Sequence, residues 1–172
     1  VKKRPKLCFM EFINMIDKII YPGSFDPITK GHEDIINQLQ NLASVVIVAI
    51  AEDNYKNSLY TIDQRLHLLN ELYQNHANIE VISYSGLTVD LAKKNNVTVI
   101  ARGLRNEIDF TYERDLSDMN QKIEGSIKTI FLQSDPSLRS ISSSLVRQLI
   151  HLDKDLTPFL SKKVTNLINA WR

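Results

Sequence analysis

The sequence has little of what would place it in a specialised class of protein. Cys8 is the only cysteine among 172 residues, so no disulfide can form within the chain, which fits a reducing compartment. The longest apolar run, residues 45–51, is far shorter than the ~20 residues that cross a membrane. Residues 2–4 are basic, but Glu11 and Asn14 interrupt any signal-peptide core. We therefore expect a soluble cytoplasmic protein that does not enter a membrane.

The sequence also lacks a strong excess of either charge. It has 21 basic and 20 acidic residues, which gives a net charge of +1. This balance argues against nucleic-acid binding through a broad basic face, although it allows a small basic pocket for phosphates. With 43% apolar residues in 172, the chain can build one globular domain with a substantial core.

Strand-like and helix-like segments alternate along the chain. The predicted strands are residues 17–20, 44–51, 79–83, 97–101 and 127–132, and helices begin near residues 31, 61, 86, 106 and 142, with a last one after Pro158. Alternation of this kind predicts an α/β fold, a single doubly wound domain with a five-stranded parallel sheet and a helical carboxyl terminus.

The first residues of the chain fit this pattern less well. Residues 1–14 show no sustained helical or strand period, so we predict an N-terminal extension that is disordered or loosely docked and can be removed without effect. Residues 15–172 then form the single folded domain. Phe9, Phe12 and Ile13 argue in the other direction, since an apolar cluster could pack against the domain or a second subunit.

The most informative segment is residues 21–32, which read Tyr-Pro-Gly-Ser-Phe-Asp-Pro-Ile-Thr-Lys-Gly-His. An apolar strand precedes it, and apolar residues at helical spacing follow it. Ser24 and His32 should therefore lie between the carboxyl end of a strand and the amino end of a helix. Ligands bind there in open α/β sheets, and the free N–H groups of the helix favour a phosphate. Neither the dinucleotide fingerprint nor a P-loop has this glycine spacing.

Further polar residues follow other predicted strands. Lys56 comes after the second strand, Arg102 and Arg105 after the fourth, and three serines at 142–144 after the fifth. Each has an ordinary explanation, as a surface lysine, as solvated ends of a loop, or as a helix cap. Their common position at one edge of a parallel sheet favours a phosphate-binding site instead.

Three segments resemble known enzymes. Residues 23–32 resemble the T/H-x-G-H signature of the nucleotidyltransferase superfamily, and Ile141–Ser144 resembles its I-S-S-T/S element. Arg102–Arg105, followed by Asp-Phe at 109–110 and Tyr-Glu at 112–113, resembles the R-G-L-R-x-x-x-D-F-x-Y-E segment of bacterial phosphopantetheine adenylyltransferases. The resemblance implies a Rossmann-like nucleotidyltransferase that makes dephospho-coenzyme A and pyrophosphate from ATP and phosphopantetheine in coenzyme A biosynthesis. It also implies Mg²⁺ carried by ATP and a homohexamer, and it leaves feedback by coenzyme A open.

The resemblance further implies a role for individual residues. His32, Lys56 and Arg102 would be catalytic. The residues implied to contact ATP are Ser24, Phe25, His32, Gly103, Leu104, Arg105, Glu113, Leu138, Arg139, Ser140, Ile141, Ser142, Ser143 and Ser144. Those implied to contact phosphopantetheine are Ser24, Lys56, Leu87, Thr88, Arg102, Tyr112, Leu116, Met119 and Asn120. Thr88, Leu138 and Ser140 depart from the family pattern, which bears on fine specificity and on adenine packing.

The chemistry that follows is positioning and electrostatic stabilisation. We detect no Ser-His-Asp or Cys-His arrangement, and an ionised phosphate acceptor needs no base. His32 would stabilise charge at the α-phosphate, Lys56 and Arg102 would hold the acceptor phosphate, and Arg105, Arg147 and the serines would hold pyrophosphate. Two alternatives remain, a small nucleotidyltransferase with a different phosphorylated acceptor and a non-catalytic nucleotide-binding sensor.

Overall fold

A computed structural model describes residues 16–52 and 58–171. Its five strands are β1 (Ile16–Gly23), β2 (Ala43–Ala51), β3 (Ile79–Tyr84), β4 (Val99–Leu104) and β5 (Lys128–Gln133). They form one sheet in the order β3-β2-β1-β4-β5, and every pair of neighbours is parallel. The predicted α/β fold with a five-stranded parallel sheet is confirmed. The predicted N-terminal extension, residues 1–14, lies outside the described residues.

Six α-helices connect and follow the strands within the described ranges. They are α1 (Lys30–Gln40), α2 (Ile62–Tyr73), α3 (Thr88–Lys94), α4 (Glu107–Ile123), α5 (Ser143–His151) and α6 (Lys162–Ala170), with a short 3₁₀ helix at Pro136–Leu138. The start of α2 shows how local sequence sets a boundary. The Thr61 hydroxyl accepts a hydrogen bond from the Gln64 N–H, and the Gln64 side chain accepts one from the Thr61 N–H. This reciprocal capping fixes the first turn.

The sheet is buried on both faces because helices cover both. Ile19 and Ile20, adjacent in β1, have no exposed surface and belong to different core clusters on opposite faces. Helices α1, α2, α5 and α6 contribute buried residues to the first cluster, and α3 contributes them to the second. The continuous apolar run of β2 is what a strand enclosed on both sides requires.

The fourth strand differs from the sequence prediction. It runs from Val99 to Leu104, whereas the apolar run predicted a strand over residues 97–101. The reason is the neighbouring strand, because β5 continues to pair with β4 through Arg102, Gly103 and Leu104 after the apolar run has ended. Arg102 and Gly103 therefore belong to the sheet rather than to a loop that follows it.

The order of the strands determines where a ligand can bind. The chain proceeds from β1 through β2 to β3 on one side of the sheet, and β4 returns to pair with the other side of β1. This reversal leaves a crevice beyond the carboxyl ends of β1 and β4, which is where doubly wound folds bind ligands. No helix within residues 16–52 and 58–171 has the length and apolar character needed to span a bilayer.

Candidate active site

A cavity of about 310 Å³ lies at this crevice, and two helices begin at its wall. Thr29, the residue that precedes α1, lines it together with Gly31 and His32 from the first turn of that helix. The residues at the start of α5, 142–144, line another side. Two helix amino termini thus meet at one cavity, and both present a positive dipole end there. The Lys30 N–H at the start of α1 donates to the Phe159 carbonyl, and the Leu145 N–H of α5 donates to the Ser142 hydroxyl. This arrangement suits a polyphosphate.

The loop between β1 and α1 is packed tightly under the cavity. Phe25 is 1% exposed and has a positive φ of 47°, which a bulky residue rarely adopts. Its ring makes edge contacts with Tyr21 and His32, with ring centroids 5.5 and 5.2 Å apart. At Gly23, an added Cβ would lie 2.9 Å from Cζ of Phe25, so a side chain there would displace the ring. The packing of Phe25 therefore fixes the orientation of the His32 ring.

The hydrogen bonds of His32 define its protonation. The Thr29 N–H donates to Nδ1 of His32 over 3.1 Å, so Nδ1 accepts and the ring proton sits on Nε2. Burial, together with the positive charge of Arg105, lowers the pKa of His32 to about 4. At neutral pH the ring is therefore uncharged, and its Nε2–H can donate a hydrogen bond to a ligand in the cavity that it lines.

The carboxylate of Asp26 anchors the loop between β1 and α1. Asp26 is 3% exposed, and its two carboxylate oxygens accept hydrogen bonds from the N–H groups of Leu59 and Tyr60, each over 2.9 Å. Arg147 donates to the Asp26 carbonyl over 2.8 Å, and Arg65 donates to the Ser24 carbonyl over 2.8 Å. The sequence analysis missed Asp26 and Arg65. The one signal for Arg65 was its place one turn before the buried Leu68 and Leu69 of α2.

The serines at the start of α5 hold backbone groups as well as facing the cavity. The Ser142 hydroxyl accepts from the Leu145 N–H over 3.1 Å, which caps the helix. The Ser143 hydroxyl donates to the Pro27 carbonyl over 2.9 Å, and Arg147 donates to the Ser144 hydroxyl over 3.1 Å. The two loops that form the cavity are therefore tied to each other directly.

A second, smaller cavity of about 180 Å³ adjoins the first, and residues of α3, α4, β4 and β5 contribute to its wall. Its wall combines apolar and polar side chains, for example Leu116 and Met119 with Asn120. Thr88, at the start of α3, also lines it, and its hydroxyl lies 3.0 Å from the hydroxyl of Tyr84. Tyr84, which the sequence analysis did not single out, therefore orients Thr88.

Most, but not all, of the predicted ATP-contacting residues line the first cavity. Those that line the first cavity are Ser24, Phe25, His32, Gly103, Arg105, Glu113, Ile141, Ser142, Ser143 and Ser144. Leu104, Leu138, Arg139 and Ser140 are not among the residues of its wall. Tyr21, Thr29 and Ser134 line the cavity too and were not predicted to contact ATP.

The predicted phosphopantetheine-contacting residues gather mainly at the second cavity. Leu87, Thr88, Arg102, Leu116, Met119 and Asn120 all line it, and Ser24 lines the first cavity instead. Tyr112 is 62% exposed and lines neither cavity. Lys56 lies outside the described residues. Ser117 and Thr129 contribute polar groups to the second cavity that the sequence analysis did not identify.

Comparison with known proteins places this site in a family. Residues 20–149 match the family model described as cytidylyltransferase-like. The chain belongs to the cytidylyltransferase-like family. The matched range contains every residue named above as lining either cavity, so this cytidylyltransferase-like domain is the part of the chain that holds the site. Membership supports a nucleotidyltransferase that binds nucleotides, which agrees with a cavity formed by two helix amino termini.

Solved structures resemble the cytidylyltransferase-like chain over almost its whole length. One is Plasmodium falciparum nicotinic acid mononucleotide adenylyltransferase complexed with NaAD, with a TM-score of 0.66, 19% identity, and coverage of 90% of this chain and 95% of that one. Another, from Vibrio parahaemolyticus, is assigned as a nicotinate-nucleotide adenylyltransferase, with a TM-score of 0.66, 15% identity, and coverage of 89% and 98%. At these identities the likeness establishes the fold alone.

Proposed function

We propose that the protein transfers the adenylyl group of ATP to phosphopantetheine, giving dephospho-coenzyme A and pyrophosphate, a step of coenzyme A biosynthesis. The observation that carries the proposal is the pair of adjoining cavities, which differ in character and meet at Arg102. A transfer between two substrates needs two such sites, with the reacting groups held next to each other.

The first cavity suits a nucleoside triphosphate. Its wall combines the amino termini of α1 and α5 with the guanidinium groups of Arg105 and Arg147 and the neutral Nε2–H of His32. These groups are donors or cations, and they surround a space where phosphate oxygens would carry negative charge.

The second cavity suits a flexible arm that carries amide groups. Leu87, Leu116 and Met119 provide apolar surface for methylene and methyl groups, while Thr88 and Asn120 provide hydrogen-bonding partners. None of the described residues that line it is aromatic, so it has no ring on which a pyridine could stack. This favours phosphopantetheine over the nicotinate mononucleotide named for the two similar structures.

The reaction we propose is an in-line substitution at the α-phosphorus of ATP. An oxygen of the acceptor phosphate forms a bond to that phosphorus as the bond to the β-phosphate oxygen breaks, and pyrophosphate leaves. The acceptor oxygen is already ionised, so no proton has to be removed. The Nε2–H of His32 and the positive dipole end of α1 would stabilise the charge on the α-phosphoryl oxygens, and Arg105 and Arg147 would stabilise the leaving pyrophosphate.

We propose that Mg²⁺ arrives bound to ATP. Among the described residues that line the first cavity, Glu113 is the one acidic side chain, and it is ion-paired with Arg102. The other charged side chains of this wall are arginines. Such a set of residues binds phosphate oxygens and leaves the metal to be coordinated by the phosphates themselves. When bound, Mg²⁺ neutralises part of the triphosphate charge.

A homohexamer and feedback by coenzyme A belong to the same proposal. Helix α4 has no fully buried residue, and Ile108, Phe110 and Ile123 on it are 81%, 43% and 49% exposed. Large apolar side chains left exposed along one helix favour its association with another copy of the chain. Coenzyme A contains the pantetheine arm and would compete for the second cavity. Analytical ultracentrifugation and titration with coenzyme A would test these two points.

Pyrophosphate release with ATP, Mg²⁺ and a panel of acceptors tests the proposed function. We expect turnover with phosphopantetheine and none with pantetheine, which lacks the attacking phosphate. Turnover with nicotinate mononucleotide instead would show that the acceptor is wrong. Binding of ATP without turnover of any acceptor in the panel would favour the non-catalytic sensor.

A further inference from the structure

Three residues line both cavities, and they are hydrogen-bonded to one another. These residues are Pro22, Arg102 and Glu113. The Arg102 guanidinium makes two parallel hydrogen bonds to the Glu113 carboxylate, each 2.5 Å long, through Nε and Nη2. Its Nη1 donates to the Pro22 carbonyl over 3.0 Å. The junction of the two cavities is therefore a connected unit.

This unit fixes the guanidinium in one orientation. Arginine has five N–H donors in a rigid planar fork, and three of them are used by Glu113 and Pro22. Within residues 16–52 and 58–171 no group accepts from the two that remain, one on Nη1 and one on Nη2, so they can donate to a ligand at the junction. The side chains of Arg102 and Glu113 are only 25% and 12% exposed, so solvent screens their charges little.

The pair also connects distant parts of the chain. Arg102 lies in β4, Glu113 lies near the middle of α4, and Pro22 lies in β1. The neighbouring pair of Arg105 and Asp109 is different, because it joins the end of a loop to the first turn of the helix that follows it. The bond between Arg102 and Glu113 therefore attaches the middle of α4 to the sheet at the boundary between the cavities.

We infer that Glu113 is a positioning residue for the acceptor phosphate, which it serves by orienting Arg102. Both of its carboxylate oxygens accept a hydrogen bond from Arg102, so the guanidinium keeps its orientation as long as the pair is intact. This role is separate from the contact with ATP that the sequence resemblance implies. It rests on the proposed function, because it needs an acceptor with a phosphate at the junction.

The test compares Glu113→Gln with Glu113→Asp. Glutamine keeps the size of the side chain, but it can accept only through Oε1 and places an NH₂ group against the guanidinium. We expect the dissociation constant for phosphopantetheine to rise roughly 10-fold or more in E113Q, and that for a non-hydrolysable ATP analogue to change by less than about twofold. E113D keeps the charge and should recover part of the acceptor affinity. Isothermal titration calorimetry measures both ligands.

Asp115→Asn provides the matched control. Asp115 is on the same helix and pairs with Arg114, but the two side chains are 65% and 52% exposed and line neither cavity. D115N should leave both affinities unchanged. Circular dichroism of all three variants would show whether α4 stays folded.

Several results would overturn the inference. An equal loss of affinity for both ligands in E113Q would show that Glu113 does not serve the acceptor selectively. Tighter binding of phosphopantetheine would mean that repulsion by the carboxylate dominates. Unchanged affinities for both ligands would show that Glu113 does not position Arg102. If the wild-type protein neither binds nor adenylylates phosphopantetheine, the proposed function fails and the inference fails with it. If the wild type turns over normally and only the E113Q pattern is wrong, the inference fails alone.

Discussion

The two cavities are constructed in different ways. The loops that form the first are held in place, since Phe25 is fully packed, Asp26 accepts hydrogen bonds from two backbone N–H groups, and the hydroxyls of Ser142 and Ser143 are hydrogen-bonded to backbone groups. The second takes five of the residues in its wall from α4, a helix without a single fully buried residue, and Met119 there is 44% exposed. The first cavity is preorganised by its own hydrogen bonds, and the second depends more on partly exposed side chains of one helix.

This difference matches what each half of the proposed reaction requires. Charge develops at the α-phosphate, and donors that are already in place stabilise it without reorganising. The acceptor arm takes no part in the chemistry, so its site needs only shape, apolar surface and a few polar partners. Substitutions in the first cavity should therefore reduce turnover or affinity for ATP, whereas those in the second should reduce affinity for the acceptor.

The largest effect should come from His32→Ala. Loss of one preorganised donor costs ~10²–10³-fold in turnover, and ATP affinity should change little because the donor serves the transition state. Stopped-flow measurement of pyrophosphate release gives the turnover number, and fluorescence titration with an ATP analogue gives the affinity. Turnover within a few-fold of the wild type would remove His32 from the mechanism.

The free energy of unfolding should depend on pH through His32. The pKa of His32 is lowered from 6.5 to about 4 in the folded protein, so the unfolded chain binds a proton more readily between these values. Acidification through this window should therefore reduce the free energy of unfolding, by at most about 3 kcal/mol. Urea unfolding at several pH values measures the slope. The curve of a His32→Gln variant should be flatter, and an identical curve would show that other groups dominate.

Asp26→Asn should destabilise the loop beneath the first cavity. The substitution removes the charge. It also places an NH₂ group against one of the two backbone N–H groups that donate hydrogen bonds to the carboxylate. We expect a loss of roughly 2 kcal/mol in the free energy of unfolding, together with lower turnover. Asp63→Asn on the outside of α2 is a suitable control. A thermal midpoint equal to that of the wild type would show that Asp26 is not an anchor.

The smallest expected effects come from one substitution in each cavity, and they concern the affinity for each ligand. Thr88→Val keeps the shape of the second cavity and removes one hydrogen bond, so phosphopantetheine should bind about 3–10-fold more weakly while ATP affinity stays the same. Arg147→Ala should give the reverse pattern, since Arg147 lines the first cavity and not the second. Calorimetry with each ligand separates the two. Equal losses of both ligands in each variant would mean that the cavities do not act independently.

Much of the fold and part of the site could be predicted from local sequence. The apolar run of β2, the capping residues of α2 and the loop before His32 are each encoded within a few neighbouring positions. The cap at Ser142 is encoded in the same way. Propensity, periodicity and motif spacing are local properties, and they identified these elements.

What could not be predicted depends on contacts between distant segments. Glu113 meets Arg102 only because β4 extends to Leu104 and α4 packs beside it, and the length of β4 is set by pairing with β5. Asp26 finds its partners more than 30 positions away, at Leu59 and Tyr60. A sequence shows which residues are charged, but pairing requires the register of the strands and the placement of the helices.

A crystal structure of the ternary complex would test the central claim most directly, with phosphopantetheine and an ATP analogue that cannot release pyrophosphate. The account predicts the triphosphate in the first cavity, with His32 Nε2 within hydrogen-bonding distance of an α-phosphoryl oxygen, and the pantetheine arm in the second. The acceptor phosphate should lie beside Arg102, with its oxygen ~3–3.5 Å from the α-phosphorus and in line with the leaving group. A nucleotide in the second cavity, or an acceptor phosphate far from Arg102, would contradict it.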